Sequence, residues 1–170
     1  ITGVRVGKTK IHANDLVCDV TVTPRYTRYY EPCAEWDCSK SKVISYMSGY
    51  SLGGSSTDNP LFYYGTGSVI AYMYIFNENN KLESSFMAIK LSEADYIVDF
   101  LDERYIPVDF EDEYFFFTSV DQKSVITLGV TYQYLGVLYM PYESSTKSHI
   151  DSEIAKNKIN EMMTEVVINE

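Results

Sequence analysis

The sequence predicts an α+β domain, a mostly antiparallel sheet with two helices packed against one face. Three observations carry that prediction. One order of elements, a capped amphipathic helix, a turn-rich linker and three β-like segments, is written over residues 39–90 and again over 92–140. Turn residues at Asn77–Asn80 and Asp121–Lys123 join neighbouring segments as hairpins, the short connection that antiparallel strands allow. Each helix carries a single apolar stripe, which one face of a sheet can bury. With 170 residues the chain suits one domain with a sizeable core, because about 150 residues already bury roughly 70% of their unfolded surface. The organisation expected is a domain over 1–141 that includes N-terminal strands, followed by a polar linker and a C-terminal amphipathic helix over 142–170.

Taken in order, Ile1–Val6 reads as a short strand closed by Gly7, and Lys8–Asn14 as a polar connector. Leu16–Thr23 alternates, with Leu16, Cys18, Val20 and Val22 on one side, the period of a half-buried strand that Pro24 ends. Cys18 then reads as a small buried hydrophobe. Residues 25–38 form an irregular aromatic loop. The first helix starts near Asp37 or Ser39, either of which can cap its opening turn, and places Val43, Ile44 and Met47 on one stripe before Gly49. Ser51–Pro60 is almost all Gly, Ser, Thr, Asp and Asn, the composition of a mobile surface loop.

The segments of the first unit are 61–64, 68–76 and 81–90. Both alternating sets of 68–76 are apolar, so that strand is contacted on both faces. The second helix has Ser92 and Asp95 in capping-box spacing and Ala94, Ile97, Val98, Leu101 and Tyr105 on one face, and Pro107 stops it. Glu93, Asp99, Asp102 and Glu103 form its solvated side. An acidic loop follows, then segments at 113–118, 124–132 and 134–140, with Gly136 marking a bend or a close backbone approach. Beyond the linker, Ile154, Ile159, Met162, Met163 and Val166 recur at helical spacing as a core stripe.

A net charge of −10 makes nucleic acid and anionic membrane surfaces poor partners, since affinity for phosphate comes from Lys and Arg. No run approaches the ~18 apolar residues of a membrane span. Ile1 in place of Met reads as a processed or trimmed chain whose signal or lipid anchor would lie upstream. Cys33 and Cys38, five apart in the loop, are candidates for a local disulfide that would suit an oxidising compartment.

The residue types for catalysis or cofactor chemistry are present without the required spacing. His12 and His149 lack further ligands at zinc-site spacing. Ser148, His149 and Asp151 are too close in sequence to line up as a hydrolase triad. Gly53–Gly54–Ser55 lacks the lysine of a phosphate loop, and Gly65–Thr66–Gly67 reads as a tight turn. Asp109, Glu111, Asp112 and Glu113 could gather a hard cation but read as a solvated acidic loop, because their spacing is not that of a calcium loop. Neither a metal nor a cofactor is expected.

Tyrosine is the distinctive chemistry, accounting for sixteen residues. Tyr72, Tyr74, Tyr132 and Tyr134 fall on strands, and Tyr29, Tyr30 and Trp36 in the aromatic loop. Hydroxyl-bearing rings offer large contact area at low entropic cost, which suits partner proteins, peptides or sugar faces. The reading is a non-catalytic binding protein that recognises a protein partner through a tyrosine-bearing sheet face and the 25–38 loop. A carbohydrate- or peptide-binding module with an aromatic pocket, and a hydrolase with an unrecognised carboxylate pair, are the alternatives.

The doubled unit, Trp36–Asp37 ahead of Ser39–Met47, and the hairpin Tyr74–Ile75–Phe76 to Lys81–Leu82 resemble the β-lactamase-inhibitor-like group of small bacterial envelope proteins. The small lipoprotein of the outer-membrane assembly machine is one relative in architecture. In style the chain is also similar to uncharacterised secreted or lipid-anchored proteins of gut Bacteroidetes. The resemblance implies an antiparallel sheet with helices on one side, an exposed sheet face that binds proteins, and an extracytoplasmic location in the periplasm, at the outer membrane or outside the cell. It implies no catalytic residue.

Overall fold

The computed structural model describes residues 5–131, 133–142 and 152–169, and the internal repeat appears in it as a palindrome of strands. The first unit supplies α1 (Lys40–Tyr46), β3 (Leu61–Tyr64), β4 (Val69–Phe76) and β5 (Leu82–Lys90), after an N-terminal hairpin of β1 (Gly7–Ala13) and β2 (Leu16–Val22). The second supplies α2 (Ala94–Asp102), β6 (Ile106–Glu111), β7 (Tyr114–Thr118), β8 (Ser124–Val130) and β9 (Tyr134–Pro141), and α3 (Ser152–Asn169) follows. Seven strands form one antiparallel sheet in the order β3-β4-β5-β9-β8-β7-β6. The last strands of the two units, β5 and β9, pair at the centre, so β3-β4-β5 and β7-β8-β9 run outward as mirror-ordered meanders.

Alternation along these strands sorts side chains onto two buried faces. One face carries Tyr72, Tyr74, Met87, Ile89, Ile126, Leu128, Val137 and Tyr139 against Val43 and Met47 of α1 and Ile97, Phe100 and Leu101 of α2. The other carries Phe62, Met73, Phe86, Phe116 and Leu138 against Ala155, Ile159, Met162, Met163 and Val166 of α3. The C-terminal stripe is therefore core, except for Ile154, which is 56% exposed. The central strands have no open face, because α3 covers the side opposite α1 and α2, while the edge strand β6 stays exposed.

A row of residues with little or no side chain seats α3. Ala71 pairs with Ala88, Ala88 with Gly136 and Gly136 with Gly129, a trench across β4, β5, β9 and β8. A Cβ on Gly136 would stand 2.9 Å from two atoms of the Phe86 ring and 3.3 Å from Cγ2 of Ile159. The close approach anticipated at Gly136 is thus made by a helix and a buried ring together.

Several segments depart from their sequence patterns. The polar connector Lys8–Asn14 contains most of strand β1, which begins at Gly7. Of the strand expected over Ile1–Val6, residues 1–4 lie outside the described residues, and Arg5 and Val6 are not in a strand. The β1–β2 hairpin forms a two-stranded sheet of its own, and the period-2 pattern of β2 buries little: Leu16 is 76% exposed and Cys18 lies at the surface. Alternation marked a strand correctly, but burial depends on a second layer, and among the described residues none packs over the hairpin.

The acidic loop after α2 contains β6, an edge strand with Pro107 and a register shift between Pro107 and Asp109, features that edges tolerate. Asp112 and Glu113 turn it into β7 with φ of 48° and 70°. Ser92 caps nothing, because a 3₁₀ turn at Leu91–Glu93 moves the helix start past it. The Ser51–Pro60 segment is tied to the sheet: Gly53 N donates to Phe62 O at 2.8 Å, Tyr64 N to Ser51 O at 2.9 Å, and Asn59 exchanges hydrogen bonds with the backbone of Phe76. It covers the outer edge of β3.

Candidate functional site

Residues 25–38 have no regular secondary structure, so their backbone groups need partners from elsewhere, and α2 and the residues that flank its two ends supply many of them. Glu103 accepts from Arg25 N at 2.9 Å and Tyr26 N at 3.1 Å. The hydroxyl of Tyr96 accepts from Thr27 N at 3.0 Å and Arg28 N at 3.2 Å. Glu93 pairs with Arg28 at 2.6 Å and accepts from the Tyr29 hydroxyl at 2.9 Å. Tyr29 packs edge-on against Tyr96 and Phe100, and the Arg28 guanidinium lies 4.1 Å over the Tyr96 ring. Glu93 and Glu103, which the sequence pattern places on a solvated face, are instead the clamps of this segment.

Desolvation, the largest single influence on Glu93, pushes its carboxyl up, but hydrogen bonds from Arg28, Ser68 and Tyr29 together hold it below the ordinary 4.5. Glu103 is held low in the same way, against desolvation, by the Arg25 and Tyr26 amides and by Arg104. A carboxylate with a depressed folded-state pKa contributes stability that is complete above its unfolded value and is lost as pH falls through the folded one. Glu93→Gln therefore lowers the thermal midpoint at neutral pH and flattens its decline below about pH 4.5. Thermal melts of both proteins from pH 7 to pH 3 check this, and parallel curves would refute it.

The clamp leaves a cluster of rings facing solvent at the end of α1. Tyr30 stands 5.0 Å from Tyr46 and 5.6 Å from Tyr50, both pairs tilted, and Tyr50 meets the buried Tyr72 edge-on at 5.1 Å. Tyr30 is 42% and Tyr46 39% exposed. The hydroxyls are held as well: Tyr46 donates to Glu31 O at 2.8 Å and Tyr72 to Tyr30 O at 2.9 Å. Below them Tyr105 donates to Glu31, whose carboxyl burial pushes up against the opposing pull of Tyr105 and Arg104. The rings are thus oriented before any partner arrives, which reduces the ordering cost of a contact.

The expected tyrosine site is divided. Tyr30 belongs to the exposed cluster, while Tyr29 is buried beneath it. Trp36 is half-buried and donates to Ser124 Oγ at 3.0 Å. Tyr72 and Tyr74 are enclosed between sheet and helices, with the Tyr74 hydroxyl 3.0 Å from Met47 Sδ, so neither offers a surface to a partner. Tyr134 lies on the opposite face among the residues packed around α3. Tyr132, with Ser148, His149 and Asp151, lies outside the described residues.

Cys33 and Cys38 are free, buried thiols in this structure and not a disulfide. Tyr46 and Tyr50 were legible only as an i, i+4 pair spanning the end of α1, a spacing that places two rings on one side.

Two clefts are more polar. One of about 290 Å³ at the base of the β1–β2 hairpin is lined by Arg5, Arg25, Tyr26, Asp99, Asp102 and Glu103. Another of about 320 Å³ lies between Asp58, Phe62, Met73 and Glu165. A hydrolase would need two carboxyls raised toward one cleft, and Glu103, in the first, is held low. No helix among the described residues is long and apolar enough to cross a membrane. No family model, curated protein or solved structure matches this chain.

Proposed function

We propose that this is a non-catalytic, extracytoplasmic binding protein that engages a partner protein through Tyr30, Tyr46 and Tyr50. One observation carries the reading: three contacting tyrosine rings, two of them more than a third exposed, stand on a backbone clamped by α2. Exposed, rigid aromatic rings with polar tips are the side chains that dominate protein contacts. The resemblance to small envelope proteins agrees with a binding role. The sheet face implied by that resemblance is covered by α3, so the proposed surface lies at the edge of the helical layer.

The test compares wild type with Tyr30→Ala/Tyr46→Ala, bait by bait, in capture from an envelope extract, after circular dichroism and melting show that both are folded. Loss of a discrete captured species from the double variant supports the reading, with a weakening of about 10-fold or more expected when two central aromatics are removed. Identical capture by both proteins overturns it. A glycan array read with the same pair assigns the surface to sugars if binding there depends on the two tyrosines.

A further inference from the structure

Cys33 and Cys38 flank a turn in which Cys38 N donates to Glu35 O at 3.2 Å. Their main chains are fixed on β5: Ser85 Oγ donates to Cys33 O, and Leu82 N donates to Cys38 O at 3.0 Å. Both side chains are buried in the same core cluster between sheet and helices. A disulfide needs an S–S distance of about 2.05 Å, and the tight turn between the two residues together with their shared place in the core favours that approach. Cys33 lies three residues after Tyr30, and Cys38 two residues before α1, which carries Tyr46. A bond between them would close the short path joining the two exposed rings.

We propose that Cys33 and Cys38 form a reversible disulfide that clasps the aromatic segment to the start of α1 in an oxidising compartment. The oxidant is a low-molecular-weight disulfide. One cysteine thiolate attacks it, releasing one thiol and leaving a mixed disulfide. The second cysteine displaces the remaining half as a second thiol. The pair loses two electrons and two protons, and the oxidant takes up both as its own S–S bond breaks. Burial, reinforced by Cys33, pushes the Cys38 thiol up to about 11, so exchange in the closed fold is slow and proceeds when the segment opens. Any effect of the clasp on partner binding rests on the reading of the tyrosine cluster given above. The thiol chemistry does not.

The test uses the full chain with Cys18→Ser, which removes the exposed third thiol. Samples are held with dithiothreitol or with oxidised glutathione, alkylated with iodoacetamide in denaturant, and weighed intact. Two alkyl groups after reduction, none after oxidation, no glutathione adduct, and reversal by dithiothreitol are expected. Two alkyl groups after oxidation, or a lasting adduct on one cysteine, would overturn the proposal.

As a second readout, amide exchange over residues 25–38 slows on oxidation, and adding Cys33→Ser/Cys38→Ser abolishes that difference. Equal exchange in both redox states would show that no clasp exists. Failure of the tyrosine variants to lose a partner leaves the alkylation count untouched, so the two readings fail separately.

Discussion

Gly136→Val destabilises the protein by about 1–3 kcal/mol, the range for overpacking a filled core, and loosens α3 from the sheet. The added Cβ alone enters the space of the fully buried Phe86 ring at 2.9 Å and approaches Ile159 at 3.3 Å. Phe86 cannot swing away, because its neighbours on that face are buried and packed against α3. The valine methyls would therefore have to lift the helix. Urea unfolding gives the loss, and amide exchange shows whether protection falls first over residues 152–169.

Gly129 supplies an internal comparison. A Cβ there meets the Tyr114 ring at 2.6 Å, a shorter contact, but Tyr114 is half-buried and its hydroxyl reaches Asn160 only at 3.4 Å. That ring can yield toward solvent, so Gly129→Ala costs less than Gly136→Ala. The reverse order would mean that the rigidity of the neighbour does not decide the outcome.

Phe100→Ala has the second large effect, a loss of about 3–5 kcal/mol, the range for truncating a buried aromatic. Phe100 is fully enclosed and meets the Tyr29 ring edge-on at 5.2 Å, with the Arg104 guanidinium 3.8 Å over its own ring. Arg104 also donates to Tyr26 O at 2.9 Å and Tyr29 to Glu93. The cavity therefore removes support from both anchors of the aromatic segment. Exchange over residues 25–31 should accelerate beyond what the global loss explains, and unchanged local protection would show that the hydrogen bonds to Glu93, Tyr96 and Glu103 hold it alone.

The repeat was legible because hairpin turns and apolar periods are local properties. Asn77–Asn80 and Asp121–Lys123 mark their turns whatever lies around them. β6 was less legible, because an edge strand that buries little needs no apolar period, and Pro107 and its carboxylates read equally well as loop. The site was legible in composition and not in position. Tyr72 and Tyr74 could be placed on a strand, but alternation cannot say whether the face they share is open. Tyr30 and Tyr46 come together only because the 25–38 segment folds back over the end of α1.

Local pattern by itself determined the strand periods, the helical stripes and the hairpin turns. Each depends on residues a few positions apart. Tertiary structure decided which tyrosines reach solvent, which carboxylates become clamps, and that α3 fills a trench built from Ala71, Ala88, Gly129 and Gly136. Those outcomes depend on which surfaces meet across long stretches of chain, and that pairing is fixed only when the strands of both units join one sheet.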